Sequence, residues 1–173
     1  MKILVLNGSP RLSGNTKKLV NAFVQGSESK QHEVTVVDVC RKTIHGCLGC
    51  EYCHTKEKEV CVQKDDMQEI YPLLKEANMI VFASPVYYHD LSAQLRCVID
   101  RFYAVGYPGE LKNLSKIAMI LSSGSPNVYD GILYAYRQNF IEYMGLEDKG
   151  VLTVPGEVNE EALEKAMEFG QSI

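Results

Sequence analysis

Five short, mostly apolar runs, each followed by a segment with helical signals, constrain the fold of this chain more than any other feature of its sequence. The runs are Met1–Leu6, Val34–Val39, Met79–Ala83, Ile117–Leu121 and Val151–Val154. Short apolar runs of this kind predict buried strands. Because strands that alternate with helices form a parallel sheet covered on both faces, the chain is predicted to fold as an α/β three-layer sandwich.

The segments between the runs carry the helical signals. We predict helices from Asn15 to Gly26, from Asp65 to Ala77, from Leu91 to Phe102 and from Tyr129 to Gly145, and a last helix capped by Asn159. Residues 40–64 have neither a helical nor a strand period. With five parallel strands the doubly wound order 2-1-3-4-5 is expected, and ligands then bind beyond the carboxyl ends of strands 1 and 3.

The composition indicates one domain, residues 1–173, that acts on small molecules. The hydrophobic fraction of 46% and the charged fraction of 23% are close to globular averages. The net charge of -4 argues against a nucleic-acid partner, and no apolar run is long enough to span a membrane. Because the first strand begins at Met1, no room remains for a signal peptide, and we expect a cytoplasmic protein.

The first run leads directly into a loop of Gly, Ser and Thr residues, 7–16. A strand, a hydroxyl-rich loop and a helix start form an anion site, because N–H groups converge there at the positive end of the helix dipole. Asn15 stands where a nucleoside-triphosphate loop has its Lys, and the dinucleotide pattern G-x-G-x-x-G is absent. A phosphate monoester such as that of FMN fits best. The candidate phosphate ligands are Ser9, Arg11, Ser13, Asn15 and Thr16.

Two more loops, residues 84–90 and 122–130, are expected at the same edge of the sheet. The first contains a rigid proline and two tyrosines, which suit a flat aromatic ring, although a turn with locally packed tyrosines is the alternative. The second begins with a Ser-Ser-Gly sequence. The candidate ring-binding residues of the first loop are Pro85, Val86, Tyr87 and Tyr88, and Gly124 of the second loop is a further candidate cofactor-binding residue.

Four of the six cysteines are concentrated in the segment without a period. Their spacing is Cys47-x2-Cys50-x2-Cys53-x7-Cys61. Three thiolates at three-residue intervals can bind one [4Fe–4S] cubane that a fourth completes. Zinc prefers two separated pairs, but His45 and His54 keep a zinc site open, and a loop of reduced thiols or an air-formed disulfide is a further alternative.

The loop motifs resemble those of the NADPH-dependent FMN reductase family, which has the flavodoxin-like fold. The motifs that carry the resemblance are Asn7-Gly8-Ser9-Pro10-Arg11, Gly14-Asn15-Thr16, Ser84-Pro85-Val86-Tyr87, Ser92-Ala93-Gln94-Leu95 and Ile99-Asp100-Arg101. The resemblance implies noncovalent FMN, bound by the residues named above. It also implies electron transfer from NAD(P)H through the flavin to a small-molecule or protein acceptor, in a homodimer or homotetramer.

The cysteine segment before Asp65-Asp66-Met67 is similar to that of the iron-sulfur flavoproteins, whose thiolates bind a [4Fe–4S] cluster. The gap before Cys61, seven mostly charged or polar residues, departs from this pattern. Because hydride transfer to flavin needs no side-chain acid, base or nucleophile, we expect no catalytic residue. The alternative to an NAD(P)H-dependent reductase is an electron carrier that a ferredoxin-like protein reduces.

Overall fold

The computed structural model describes residues 1–106 and 111–173, which form one parallel sheet with helices on both faces. The strands are β1 Lys2–Asn7, β2 Glu33–Asp38, β3 Met79–Pro85, β4 Lys116–Ser123 and β5 Glu147–Pro155. The helices are α1 Asn15–Ser29, α2 Tyr52–Thr55, α3 Met67–Glu76, α4 Ala93–Asp100, α5 Tyr103–Gly106, α6 Asp130–Tyr136 and α7 Glu160–Gln171. A 3-10 turn, Val39–Arg41, follows β2, and a π-helical segment, Arg137–Tyr143, continues α6.

The strand order is β2-β1-β3-β4-β5, and every neighbouring pair is parallel. The predicted order and fold class are therefore confirmed. Strand β2 is added on one side of β1, and β3, β4 and β5 are added on the other side. The loops that follow β1 and β3 therefore leave the carboxyl edge of the sheet next to each other and lead in opposite directions. This is the point at which doubly wound sheets bind their ligands.

The two faces of the sheet bury separate cores, because successive strand residues point to opposite sides. Leu4 and Leu6 of β1 belong to the core under α3–α6, whereas Ile3 and Val5 belong to the core under α1 and α7. Helices α1 and α7 approach so closely that a Cβ on Gly26 would lie 2.0 Å from the carbonyl oxygen of Met167. Glycine is therefore required at this crossing.

Some boundaries differ from the predicted ones. The helix predicted up to Gly145 divides into α6 and the π-helical segment. Strand β5 begins at Glu147, four residues before the apolar run, and an irregularity in its pairing with β4 lies between Ile117 and Met119. The cysteine segment holds one short helix, α2. No helix within residues 1–106 and 111–173 has the length and apolar character that a membrane span requires.

Candidate functional site

A cavity of about 470 Å³ opens at the carboxyl edge of the sheet. We call it the edge cavity. Four loops contribute to its wall, namely those after β1, β3, β4 and β5. The lining residues are Ser9, Arg11, Gly14, Asn15, Thr16, Lys18, Pro85, Val86, Tyr87, Ser122, Ser123, Gly124, Gly156, Glu157 and Val158.

The amino end of α1 forms one end of the edge cavity. The first N–H groups of a helix have no partner within the helix, and a side chain at the N-cap usually accepts from one of them. Here the N-cap residue is Gly14, which has no side chain to supply. The cations Arg11 and Lys18 line the same end. Unpartnered helix N–H groups next to two cations suit a phosphate group.

The polar side chains at this end are held by the opposite loops. The hydroxyls of Thr16 and Ser122 are 2.7 Å apart, and both side chains are buried. Asn15 donates from Nδ2 to the carbonyl oxygen of Gly156 at 3.0 Å. These bonds fix the rotamers of Asn15 and Thr16 from two sides, so the end of the cavity is organised in the absence of a ligand.

The loop after β3 forms the other side of the cavity and uses its own backbone donors. The N–H of Val86 donates to Ser122 O at 2.8 Å, and that of Tyr87 donates to Asp90 O at 2.9 Å. Neither N–H is therefore available to a ring bound in the cavity. Pro85, Val86 and Tyr87 present apolar and aromatic surface instead, and Tyr87 is about half exposed.

The structure brings eight of the ten predicted cofactor-binding residues to the wall of the edge cavity. They are Ser9, Arg11, Asn15, Thr16, Pro85, Val86, Tyr87 and Gly124. Ser13 and Tyr88 do not line it, and Tyr88 is fully exposed with a positive φ of 50°. The sequence reasoning missed the loop 156–158. This loop could have been predicted as part of the site, since it follows the fifth predicted strand and therefore lies at the same edge of the sheet.

The four cysteines of the predicted metal site line a second, very small cavity, the cysteine cavity, together with Arg101 and Tyr103. Cys47 and Cys50 are exposed, whereas Cys53 and Cys61 are each 8% exposed. Burial raises the pKa of the Cys53 thiol, and the neighbouring Cys61, Cys47 and Cys50 raise it further. The Cys53 sulfur is therefore close enough to those of the other three cysteines to interact with them electrostatically.

The cysteines do not adopt a coordination geometry. Within the described ranges, no three His, Cys, Asp or Glu side chains are arranged to hold a metal ion. The donor chemistry nevertheless fits an iron-sulfur cluster, because four thiols line one cavity. Glu51 also lines this cavity, and its carboxylate accepts from the Tyr103 hydroxyl at 3.0 Å. His45 and His54 do not line this cavity; His54 packs on Tyr103 with ring centroids 4.5 Å apart.

Comparisons with known proteins identify similar sequences. An iron-sulfur flavoprotein of Archaeoglobus fulgidus is 34% identical over 179 residues, which cover 100% of this chain and 79% of that protein. An iron-sulfur flavoprotein of Methanocaldococcus jannaschii is 41% identical over 105 residues, 61% of this chain and 52% of that protein. The chain thus matches only about half the length of this second relative.

The fold has solved counterparts as well. The structure of an NAD(P)H:quinone oxidoreductase from Methanothermobacter marburgensis superposes with a TM-score of 0.74 at 19% identity, covering 99% of this chain and 94% of that one. This likeness concerns the flavodoxin-like fold. Residues 1–157 match the family described as NADPH-dependent FMN reductase. The chain therefore belongs to this family of FMN-dependent oxidoreductases, as a relative of the iron-sulfur flavoproteins.

Proposed function

We propose that the chain binds FMN in the edge cavity and transfers electrons from NAD(P)H to a small-molecule or protein acceptor. Bound FMN supplies the hydride-accepting and electron-donating chemistry, and the protein binds and orients it. The observation that supports this proposal most directly is the meeting of eight predicted ligands in one cavity of about 470 Å³. A cavity of this size suits a cofactor.

Different residues of the edge cavity would bind the phosphate and the isoalloxazine ring of FMN. Asn15 has a second hydrogen on Nδ2 beside the one that it donates to Gly156 O, and the Thr16 hydroxyl can accept from Ser122. Both side chains would therefore donate to the phosphate, and Arg11 would neutralise part of its charge. Pro85 and Tyr87 would contact the isoalloxazine ring and keep water from one side of it. Since the N–H groups of Val86 and Tyr87 already donate within the protein, these residues would act on the ring through apolar contact.

Substitution of the phosphate donors tests the assignment. The double variant Asn15→Leu with Thr16→Val should bind FMN at least about tenfold more weakly, because each hydrogen bond to a charged group contributes about 1.5–3 kcal/mol. Fluorescence quenching of FMN on titration measures the affinity. Ser13→Ala is the matched control, since Ser13 belongs to the same loop and does not line the cavity.

The interpretation of this test requires a folded variant, because Thr16 is hydrogen-bonded to Ser122 in the free protein. Urea denaturation of the FMN-free forms measures any loss of stability separately. Unchanged FMN affinity in a folded double variant would contradict the proposed phosphate site.

We further propose that Cys47, Cys50, Cys53 and Cys61 bind a [4Fe–4S] cluster. The shared cavity of the four cysteines and the likeness to iron-sulfur flavoproteins support this second cofactor. A cluster favours the alternative function, in which the protein carries electrons supplied by a reduced ferredoxin. Iron and sulfide analysis after anaerobic reconstitution tests the cluster, and stoichiometric zinc with no sulfide would contradict it.

Stopped-flow reduction under argon distinguishes the two functions. An NAD(P)H-dependent reductase should lose its flavin absorbance within seconds of mixing with NADPH or NADH. A ferredoxin-dependent carrier should be reduced by a ferredoxin system and not by either nucleotide. A colourless protein that takes up no FMN would contradict both.

The single sheet and the exposed apolar side chains bear on the domain organisation and the oligomeric state. We propose one FMN-binding domain, residues 1–173, with the cysteine segment 40–64 as an insertion, and association into homodimers or homotetramers. Exposed apolar side chains such as Leu48, Tyr88 and Tyr134 support association, since large apolar side chains are enriched at interfaces. Light scattering of the FMN-loaded protein measures the mass, and a monomeric mass at micromolar concentration would contradict it.

A further inference from the structure

Arg101 is the most unusual side chain of the core. It follows α4 and is only 1% exposed, although it is a permanently charged guanidinium. Its Nη1 donates to Asp65 Oδ2 at 2.6 Å, and its Nη2 donates to Asp65 Oδ1 at 3.1 Å. A buried ion pair of this kind is expensive to desolvate, so a role beyond stability is a reasonable expectation.

The ion pair joins the two ends of the cysteine segment. Arg101 Nη1 also donates to the carbonyl oxygen of His45 at 3.0 Å, two residues before Cys47. Asp65, four residues after Cys61, accepts from the N–H groups of His45 and Met67. The guanidinium thus fixes the positions at which the chain enters and leaves the cysteine segment.

Two hydrogen-bond donors beside this segment are left unused. Within residues 1–106 and 111–173, the Nε of Arg101 and the hydroxyl of Tyr71 are buried and have no hydrogen-bond partner. The Tyr71 hydroxyl nevertheless lies close enough to the Arg101 guanidinium and the Cys61 thiol to interact with both. Buried donors are almost always satisfied in proteins, so two neighbouring exceptions need an acceptor.

A group bound beside Cys61 would supply this acceptor. Arg101 lines the cysteine cavity with all four thiols, so an anionic sulfur group bound there would meet a buried positive charge. Sulfur atoms of iron-sulfur clusters accept N–H and O–H hydrogen bonds, and these bonds adjust the reduction potential.

We propose that Tyr71 and Arg101 are positioning residues for a cluster held by Cys61, and that their unused donors set its reduction potential. This inference rests on the proposed cluster. It agrees with Cys61 as the fourth ligand, because Tyr71 interacts with the Cys61 thiol and Arg101 lines the same cavity as Cys61. Reduction adds one electron per cluster and makes its sulfur more negative, so both donors stabilise the reduced form and raise the potential.

Tyr71→Phe is the sharpest test, because it removes only the hydroxyl. In the cluster-free protein this hydroxyl has no partner, so the denaturation midpoint should be unchanged or higher. In the reconstituted protein the preference for the reduced form should fall by about tenfold, which is about 59 mV for a one-electron couple. An anaerobic dithionite titration followed by electron paramagnetic resonance measures this shift. Tyr52→Phe is the matched control, since that hydroxyl donates to Glu57.

The ion pair provides a second test, in which the sign of the shift is decisive. Arg101→Gln removes the positive charge and should lower the potential, whereas Asp65→Asn removes the negative charge and should raise it. Loss of either partner weakens the fold as well, so FMN binding and circular dichroism identify the variants that are folded. A purely structural role would disturb the cluster in the same direction in both variants.

The outcomes separate this inference from the proposed function. Opposite shifts in the two ion-pair variants, together with a lowered potential in Tyr71→Phe at unchanged or higher stability, support it. A loaded Tyr71→Phe protein with the wild-type potential overturns the role of these donors and leaves the cluster in place. A wild-type protein that takes up no iron and sulfide overturns the cluster and this role together.

Discussion

Gly8, at the exit of β1, has no room for a side chain. A Cβ at this position would lie 2.4 Å from Ser92 Oγ and 2.7 Å from Leu95 Cβ, whereas carbon contacts are normally about 3.5–4.0 Å. Leu95 is fully buried, and the N–H of Gly8 is tied to Ala83 O at 2.8 Å, so neither side can move freely. Gly8→Ala should therefore cost about 1–3 kcal/mol, as overpacked core substitutions do.

The same substitution should also weaken FMN binding, because the displaced backbone begins the loop that carries Ser9 and Arg11. Urea denaturation of the FMN-free protein measures the loss of stability, and FMN fluorescence measures the affinity. Gly124→Ala is the matched control for stability, since nothing lies within 4 Å of its added Cβ. It should stay within about 0.5 kcal/mol of wild type. A Gly8→Ala protein as stable as Gly124→Ala would refute the packing argument.

Two further predictions concern the stability of the FMN-free fold. Gly26→Ala should destabilise the fold more than Gly8→Ala, because its Cβ would meet the backbone of Met167, which cannot rotate away as a side chain can. Thermal denaturation measures this loss. An unchanged Tm would contradict the close crossing of α1 and α7. The pKa of Asp38 is lowered, since burial acts to raise it but hydrogen bonds from Lys17 and Asn7 outweigh burial. The stabilisation from Asp38 is thus complete above the unfolded-state pKa of about 3.9 and is lost as pH falls through the folded-state pKa. Wild type and Asp38→Asn should differ in urea stability at pH 7 and converge in acid, and a gap independent of pH would contradict the pairing.

The strand order could be predicted from sequence because each strand is a short apolar run with a helix on either side. Val5 and Val81 are completely buried, as expected for central strands of a parallel sheet. The position of the loop 7–16 at the edge cavity was predictable for a related reason, since the loop joins the carboxyl end of β1 to the start of α1. The start of β5 was harder to predict from sequence. Residues 147–150 carry no apolar run, and their strand conformation depends on their pairing with β4.

The buried ion pair could not be predicted from local sequence. Arg101 stands at the end of a helix, where a basic side chain is usually solvated and interacts favourably with the helix dipole. Its burial depends on Asp65, which is 36 positions away, and on the return of the cysteine segment across the end of α4. The local sequence pattern does not show that Arg101 and Asp65 lie next to each other in the folded protein. The same reason explains why the role of Tyr71, a core position on α3, was not visible.

Helix α4 connects the two proposed cofactor sites. Its amino end packs Ser92 and Leu95 against Gly8, and Arg101, at its carboxyl end, holds the cysteine segment. Eight residues of α-helix span only about 12 Å, so a change at one end can be transmitted as a rigid displacement. We therefore expect FMN binding to slow hydrogen exchange at the N–H groups of His45 and Met67, both of which donate to Asp65.

Hydrogen exchange can also show that the two sites are not coupled, and Gly8→Ala tests the coupling separately. If FMN protects only the loop 7–16 and leaves His45 and Met67 unchanged, α4 does not couple the two sites. If α4 does couple them, Gly8→Ala should reduce the FMN-induced protection even at saturating FMN, because its displaced loop no longer fits against the helix. Coupling free energies are reciprocal, so loading of the cysteine segment should change the affinity for FMN by the same factor. Equal FMN affinities of the cluster-free and the reconstituted protein would therefore contradict a connection through α4.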